Sequence, residues 1–109
     1  MKDIAIFGAG GFGREVACLI NSINNHIECE DDRWNLIGFF DDVKEKGFKT
    51  EFGEVLGGMA ELNLWQTPIA IAIGIGSPRA VKAISGKITN EHVSFPNLIS
   101  PDVTFYDKE

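Results

Sequence analysis

The chain has little of what several function classes require. Its 109 residues include only two cysteines, Cys18 and Cys29, and two histidines, His26 and His92. The cysteines form no C-x-x-C pair and neither histidine stands at a ligand spacing, which argues against a disulfide framework and a zinc site. Basic residues are scarce. Ten Lys and Arg against sixteen Asp and Glu leave a formal charge of -6, the wrong sign for a surface that tracks a nucleic-acid backbone. No apolar run approaches transmembrane length. Lys2 and Asp3 precede only a short apolar run, unlike a signal peptide. The expectation is a cytoplasmic chain with no membrane and no nucleic-acid partner.

Catalytic patterns are missing as well. No P-loop lysine follows the glycine-rich stretch and no G-x-S-x-G elbow occurs. Neither histidine has an obvious serine or cysteine partner; both read as solvated loop residues. The chain is therefore expected to hold no catalytic residue, no metal and no cofactor of its own. What remains, 44% apolar and 24% charged residues, is the composition of an ordinary globular domain. At this length about 65% of the unfolded surface should be buried.

Strand-like and helix-like segments alternate. Ile4-Ala5-Ile6-Phe7 is an apolar strand, followed by Gly8-Ala9-Gly10-Gly11-Phe12-Gly13 and a helix over Gly11 to Asn24. Cys18 falls in this helix and reads as a small buried hydrophobe; Cys29 lies in the acidic loop after it. Trp34–Phe40 is a second strand ending at Asp41-Asp42. Residues 43–53 read as an exposed excursion, Glu54–Leu56 as a short strand, and Met59, Leu62 and Trp65 as a brief helix. Pro68–Ile73 is apolar on both faces, as central parallel strands are. Ser77-Pro78 supplies an N-cap and a first-turn proline for a helix carrying Val81, Ile84 and Ile88. Val93 to Ile99 reads as a last extended piece. Phe39, Phe40, Phe95 and Trp34 are expected in the core. The pattern predicts an α/β fold, a small Rossmann-like parallel sheet of about five strands with flanking helices. Residues 1–100 would form this domain. Residues 101–109 begin something extended with no closing helix, and are expected to lead into a longer protein.

Ligands of such sheets bind beyond the carboxyl ends of the strands, where three segments are expected to meet. In Gly8, Gly10, Gly11, Phe12, Gly13 and Arg14 the glycines permit a tight turn, close backbone approach to a phosphate and close helix packing. The free N–H groups of the helix start favour an anion. Asp41 and Asp42 stand where an acidic residue commonly accepts hydrogen bonds from ribose hydroxyls, or serve as turn carboxylates. Gly74, Ser77 and Arg79 belong to a second glycine turn. Ser77 is the expected helix cap; Arg79, like Arg14, is a first-turn cation that opposes the helix dipole unless it meets an anion.

These pieces carry a resemblance. Ile4–Val16, Ile37-Gly38-Phe39-Phe40-Asp41-Asp42, Ile71-Ala72-Ile73-Gly74 and Phe95-Pro96-Asn97-Leu98-Ile99-Ser100-Pro101 resemble, in order, the N-terminal domain of bacterial sugar acetyltransferases of the sialic-acid and bacillosamine type. Phe12 stands where relatives often have histidine, and Ile75-Gly76 where they often place asparagine or aspartate. The resemblance implies a domain that binds a nucleotide-sugar or sugar acceptor. Gly8–Gly13 would face its phosphates, Asp41 and Asp42 its nucleoside, and Gly74–Arg79 the same pocket. It also implies a hexapeptide-repeat β-helix, absent here, that trimerises, binds acetyl-CoA and carries the catalytic histidine. One alternative reading is an NAD-binding domain of an oxidoreductase or a nucleotide-sugar epimerase, for which 109 residues supply few strands; another is a ligand-sensing or assembly module with no enzymatic partner.

Overall fold

A computed structural model describes residues 1–96 and 98. Strand β1 (Lys2–Phe7) leads through the glycine turn into helix α1 (Gly11–Asn25). A short 3-10 turn precedes β2 (Trp34–Phe40), then β3 (Lys49–Thr50), β4 (Gly53–Gly57) and α2 (Met59–Asn63). β5 (Ile69–Ile73), α3 (Pro78–Lys87) and β6 (Val93–Ser94) complete the described elements. The sheet order is β3-β4-β2-β1-β5-β6. β1 lies between its parallel neighbours β2 and β5, and only β3 runs antiparallel to its neighbour, β4.

The expected parallel α/β sheet is present, with six strands among the described residues in place of about five. The extra strand comes from the segment read as a loop. Lys49 and Thr50 fold back on Gly53 and Glu54 as a tight two-residue pairing, too short for any period to appear in the sequence. The expected extended piece at Val93–Ile99 is a strand only at Val93 and Ser94, paired with Ile69 and Ala70. Asn97, Ile99 and residues 100–109, with the expected connection at 101–109, lie outside the described residues.

Alternation along the two central strands divides the core. Ile4, Ile6, Ala70 and Ala72 face α1, packing with Ala9, Ala17 and Ile20. Ala5, Phe7, Ile69 and Ile71 face the opposite layer, with Phe40 and Leu62 and the flanks of Met59, Trp65, Ile84 and Ile88. Small residues cluster beneath α1, which lets that helix approach the strands closely. Trp65 falls just past α2, yet its ring meets Phe40 edge-on at 5.5 Å between centroids, an attractive aromatic geometry. Phe39 and Phe40 are fully buried and Trp34 is half-buried, as the sequence suggests. Two expectations fail. Phe95 is 53% exposed, because β6 has already ended before it. Cys18 is exposed, because it projects from α1 beside the inward positions Ala17 and Ile20.

Candidate functional site

The glycine turn is built by three glycines in mutual contact. Gly8 has φ +113°, a left-handed conformation that side chains disfavour. A Cβ on Gly74 would lie 2.6 Å from the Gly13 Cα, and one on Gly13 would collide with the Gly8 carbonyl. The carboxyl ends of β1 and β5 and the first turn of α1 are thereby pressed together. Backbone bonds fix the same junction. Gly8 N–H donates to the Phe40 carbonyl at 2.7 Å and Gly74 N–H to the Phe7 carbonyl at 2.8 Å. Here the chain order reverses direction across the sheet, from β1 outward through β2 on one side and to β5 on the other. This is the switch point at which parallel sheets open a crevice.

Gly10 caps α1 without any side-chain acceptor, and no acidic residue stands in the first turn. The N-terminal amides and the positive end of the helix dipole are left for an external anion. The Ala9 N–H, by contrast, is committed. It donates to Asp41 Oδ2 at 2.9 Å. Asp41 Oδ1 accepts the N–H groups of Val43 at 2.7 Å and Lys44 at 2.9 Å. Partial burial pushes the Asp41 carboxyl up, but the hydrogen bonds from Ala9, Lys44 and Val43, with the Lys44 charge, outweigh it. The carboxyl ends below its ordinary value. Asp42 Oδ1 accepts the Met59 N–H at 2.8 Å and so caps α2. Glu61 Oε1 accepts the Gly58 N–H at the same helix start, at 2.7 Å.

Around this junction lies an open cleft of about 460 Å³. Of the residues singled out in the sequence, Gly8, Gly10, Gly11, Phe12, Asp41, Asp42 and Gly74 line it. Gly13 is buried and serves packing. Arg14, Ser77 and Arg79 are outside the lining. Ser77 Oγ accepts the Ala80 N–H at 3.4 Å and caps α3, the role favoured for it from sequence. The lining also includes residues the sequence did not single out, chiefly Met59, Ile84 and Lys87. They arrive from α2 and α3 as those helices cross the sheet face, and no local motif marks them. Asp41 divides its carboxylate among three backbone amides, so it holds the site's shape. Asp42 has one oxygen in α2's cap and a second that accepts no hydrogen bond among the described residues. The arrangement can receive an anion at the α1 amides and a hydrogen-bond donor at Asp42. Among the described residues no group of histidine, cysteine and carboxylate side chains could hold a metal ion, and no helix is long and apolar enough to cross a membrane.

The fold is a small Rossmann-like domain with an open cleft at its switch point. Residues 3–88 match the PglD N-terminal domain family, and the chain belongs to that family. No curated protein matches the chain. Among solved structures it is similar to the acetyltransferase domain of PglB from Neisseria gonorrhoeae FA1090 in complex with acetyl coenzyme A. That match has a TM-score of 0.71 and 24% identity over 93% of this chain. A second structure of the same PglB domain matches over 94% of this chain, again at 0.71 and 24%. The chain spans 45% and 46% of those two chains. At that identity the likeness concerns the fold.

Proposed function

We propose that this chain is the acceptor-binding domain of a sugar acetyltransferase and that its cleft holds a nucleotide-sugar. The observation that carries the reading is the uncapped α1 N-terminus opening into the cleft that Asp42 and Gly74 also line. The diphosphate would rest on the Gly10, Gly11 and Phe12 amides, where the helix dipole and unpaired N–H groups favour negative charge. The free oxygen of Asp42 would accept from a ribose hydroxyl. Family membership supports this assignment, and so does the fold shared with a PglB acetyltransferase domain. Residues 1–100 would be the acceptor domain and residues 101–109 the start of the connection to a β-helix. That part would be cytoplasmic and homotrimeric, and would use acetyl-CoA as acyl donor and a histidine as base.

Amide-resolved titration of the 109-residue chain with UDP, a UDP-amino sugar, CMP-sialic acid and NAD tests the reading. Saturable shifts at Gly10, Gly11 and Phe12 with a uridine or cytidine nucleotide are expected. Shifts with NAD alone would overturn it in favour of a dinucleotide-binding domain.

A further inference from the structure

The two sides of the α1 start are chemically unlike. β2 and β5 flank β1 on opposite sides, so their carboxyl ends stand about 10 Å apart, with the helix start between them. On the β2 side the lining carries Asp42, whose Oδ1 caps α2. On the β5 side it carries Gly74, Ile75 and Gly76, none of which has a polar side chain. Phe12 belongs to this second side. It is the second residue of α1, so its backbone is part of the helix start. Its ring reaches the β5 turn, because a Cβ on Gly76 would stand 4.0 Å from the Phe12 Cδ1. Ile75 closes on the same junction, its Cγ1 lying 3.2 Å from where a Gly8 Cβ would be. The Phe12 side chain lines the cleft and is 48% exposed.

The diphosphate of a nucleotide-sugar carries one group on each phosphate. With the phosphates on the α1 amides and the ribose on the Asp42 side, the glycosyl group is directed to the β5 side, where it meets Phe12 and Ile75. A phenyl ring makes no strong hydrogen bond to sugar hydroxyls. Its electron-rich face does match the C–H face of a pyranose, whose hydrogens carry partial positive charge. We infer that Phe12 is a specificity-determining residue: its ring is the platform on which the C–H face of the glycosyl group rests, and it selects a nucleotide-sugar over the bare nucleotide. This rests on the reading of the cleft as a nucleotide-sugar site.

The test compares UDP with UDP-N-acetylglucosamine on the 109-residue chain and on Phe12→Ala and Phe12→Tyr. The readouts are calorimetric titration and nuclear Overhauser contacts from ligand protons to the Phe12 ring. Phe12→Ala should weaken UDP-N-acetylglucosamine roughly three- to fivefold more than it weakens UDP, the effect of re-exposing about 25–40 Å² of apolar surface. Phe12→Tyr keeps the ring face and should retain the wild-type preference. Contacts to the ring are expected from the pyranose protons. Contacts from uracil or ribose protons instead would overturn the assignment, because the ligand would then lie reversed in the cleft. Equal losses for both ligands in Phe12→Ala would also overturn it, since a ring that only shapes the helix start affects any diphosphate alike. Binding of UDP with exclusion of UDP-N-acetylglucosamine would overturn it as well, and all three outcomes leave the cleft a nucleotide site. Failure of both ligands to shift the Gly10 and Gly11 amides of the wild-type chain would remove the cleft reading, and this inference with it.

Discussion

Asp41 Oδ2 accepts the Ala9 N–H at 2.9 Å across thirty-two residues of sequence. The bond joins the end of β2 to the glycine turn after β1. Asp41 Oδ1 holds the start of the following loop through Val43 and Lys44. One side chain therefore sets the spacing of two walls of the cleft.

Removing it should cost stability and affinity together. Asp41→Ala leaves three partly exposed N–H groups without their acceptor. The loss should be about 1–2 kcal/mol, discounted for solvent access, measured by urea unfolding at neutral pH.

The same carboxylate predicts an acid limb. Its pKa in the folded chain lies below the ordinary value of 3.8. Its contribution is thus complete at pH well above 3.8 and is lost as pH falls through the lower, folded value. Unfolding followed between about pH 6 and pH 2 should show a shallower decline in Asp41→Asn than in wild type. Parallel curves would mean that other carboxylates govern the acid transition.

The glycine junction should discriminate sharply between positions. Gly13→Ala and Gly74→Ala force backbone apart and should destabilise by roughly 2–4 kcal/mol. Gly86 is the penultimate residue of α3 and a Cβ there meets nothing within 4 Å. Gly86→Ala should therefore be neutral or stabilise by up to about 0.5 kcal/mol, the interior propensity difference reduced in a last turn. Chemical denaturation of the three variants checks the contrast.

Phe12 is 48% exposed at the cleft. Phe12→Ala should change stability by less than about 0.5 kcal/mol, yet weaken UDP roughly three- to tenfold through lost apolar contact. Calorimetric titration beside a thermal melt separates the two effects.

Cys18 and Cys29 are both free and exposed. Both should react with a thiol reagent in the folded chain without denaturant, and Cys18→Ser should melt near the wild-type temperature. Protection of Cys18 until unfolding would contradict its outward placement.

Much of the fold was legible because its signals are local. Ile4–Phe7 and Ile69–Ile73 are continuous apolar runs, the mark of strands covered on both faces. Ser77-Pro78 announced α3 by cap chemistry that the structure contains. β3 was not legible, since two residues carry no period. Cys18 faces outward against expectation because helical spacing defines a face only to within a residue, and Ala17 and Ile20 take the inward positions.

The site divided along the same line. Its glycine turn was visible because glycine alone tolerates the φ of Gly8 and the backbone approaches at Gly13 and Gly74, so steric necessity writes itself into residue type. The cleft's far wall was not visible. Met59, Ile84 and Lys87 are ordinary helix residues whose place depends on how α2 and α3 cross the sheet. The sequence by itself determined the succession of strands and helices along the chain, the turn and the anion-favouring helix start, which depend on neighbours along the chain. Only the tertiary structure decided that Asp41 serves the backbone, that Arg14 and Arg79 are outside the cleft lining, and that Lys87 enters it. Those choices depend on packing between elements far apart in sequence, for which no local spacing is diagnostic.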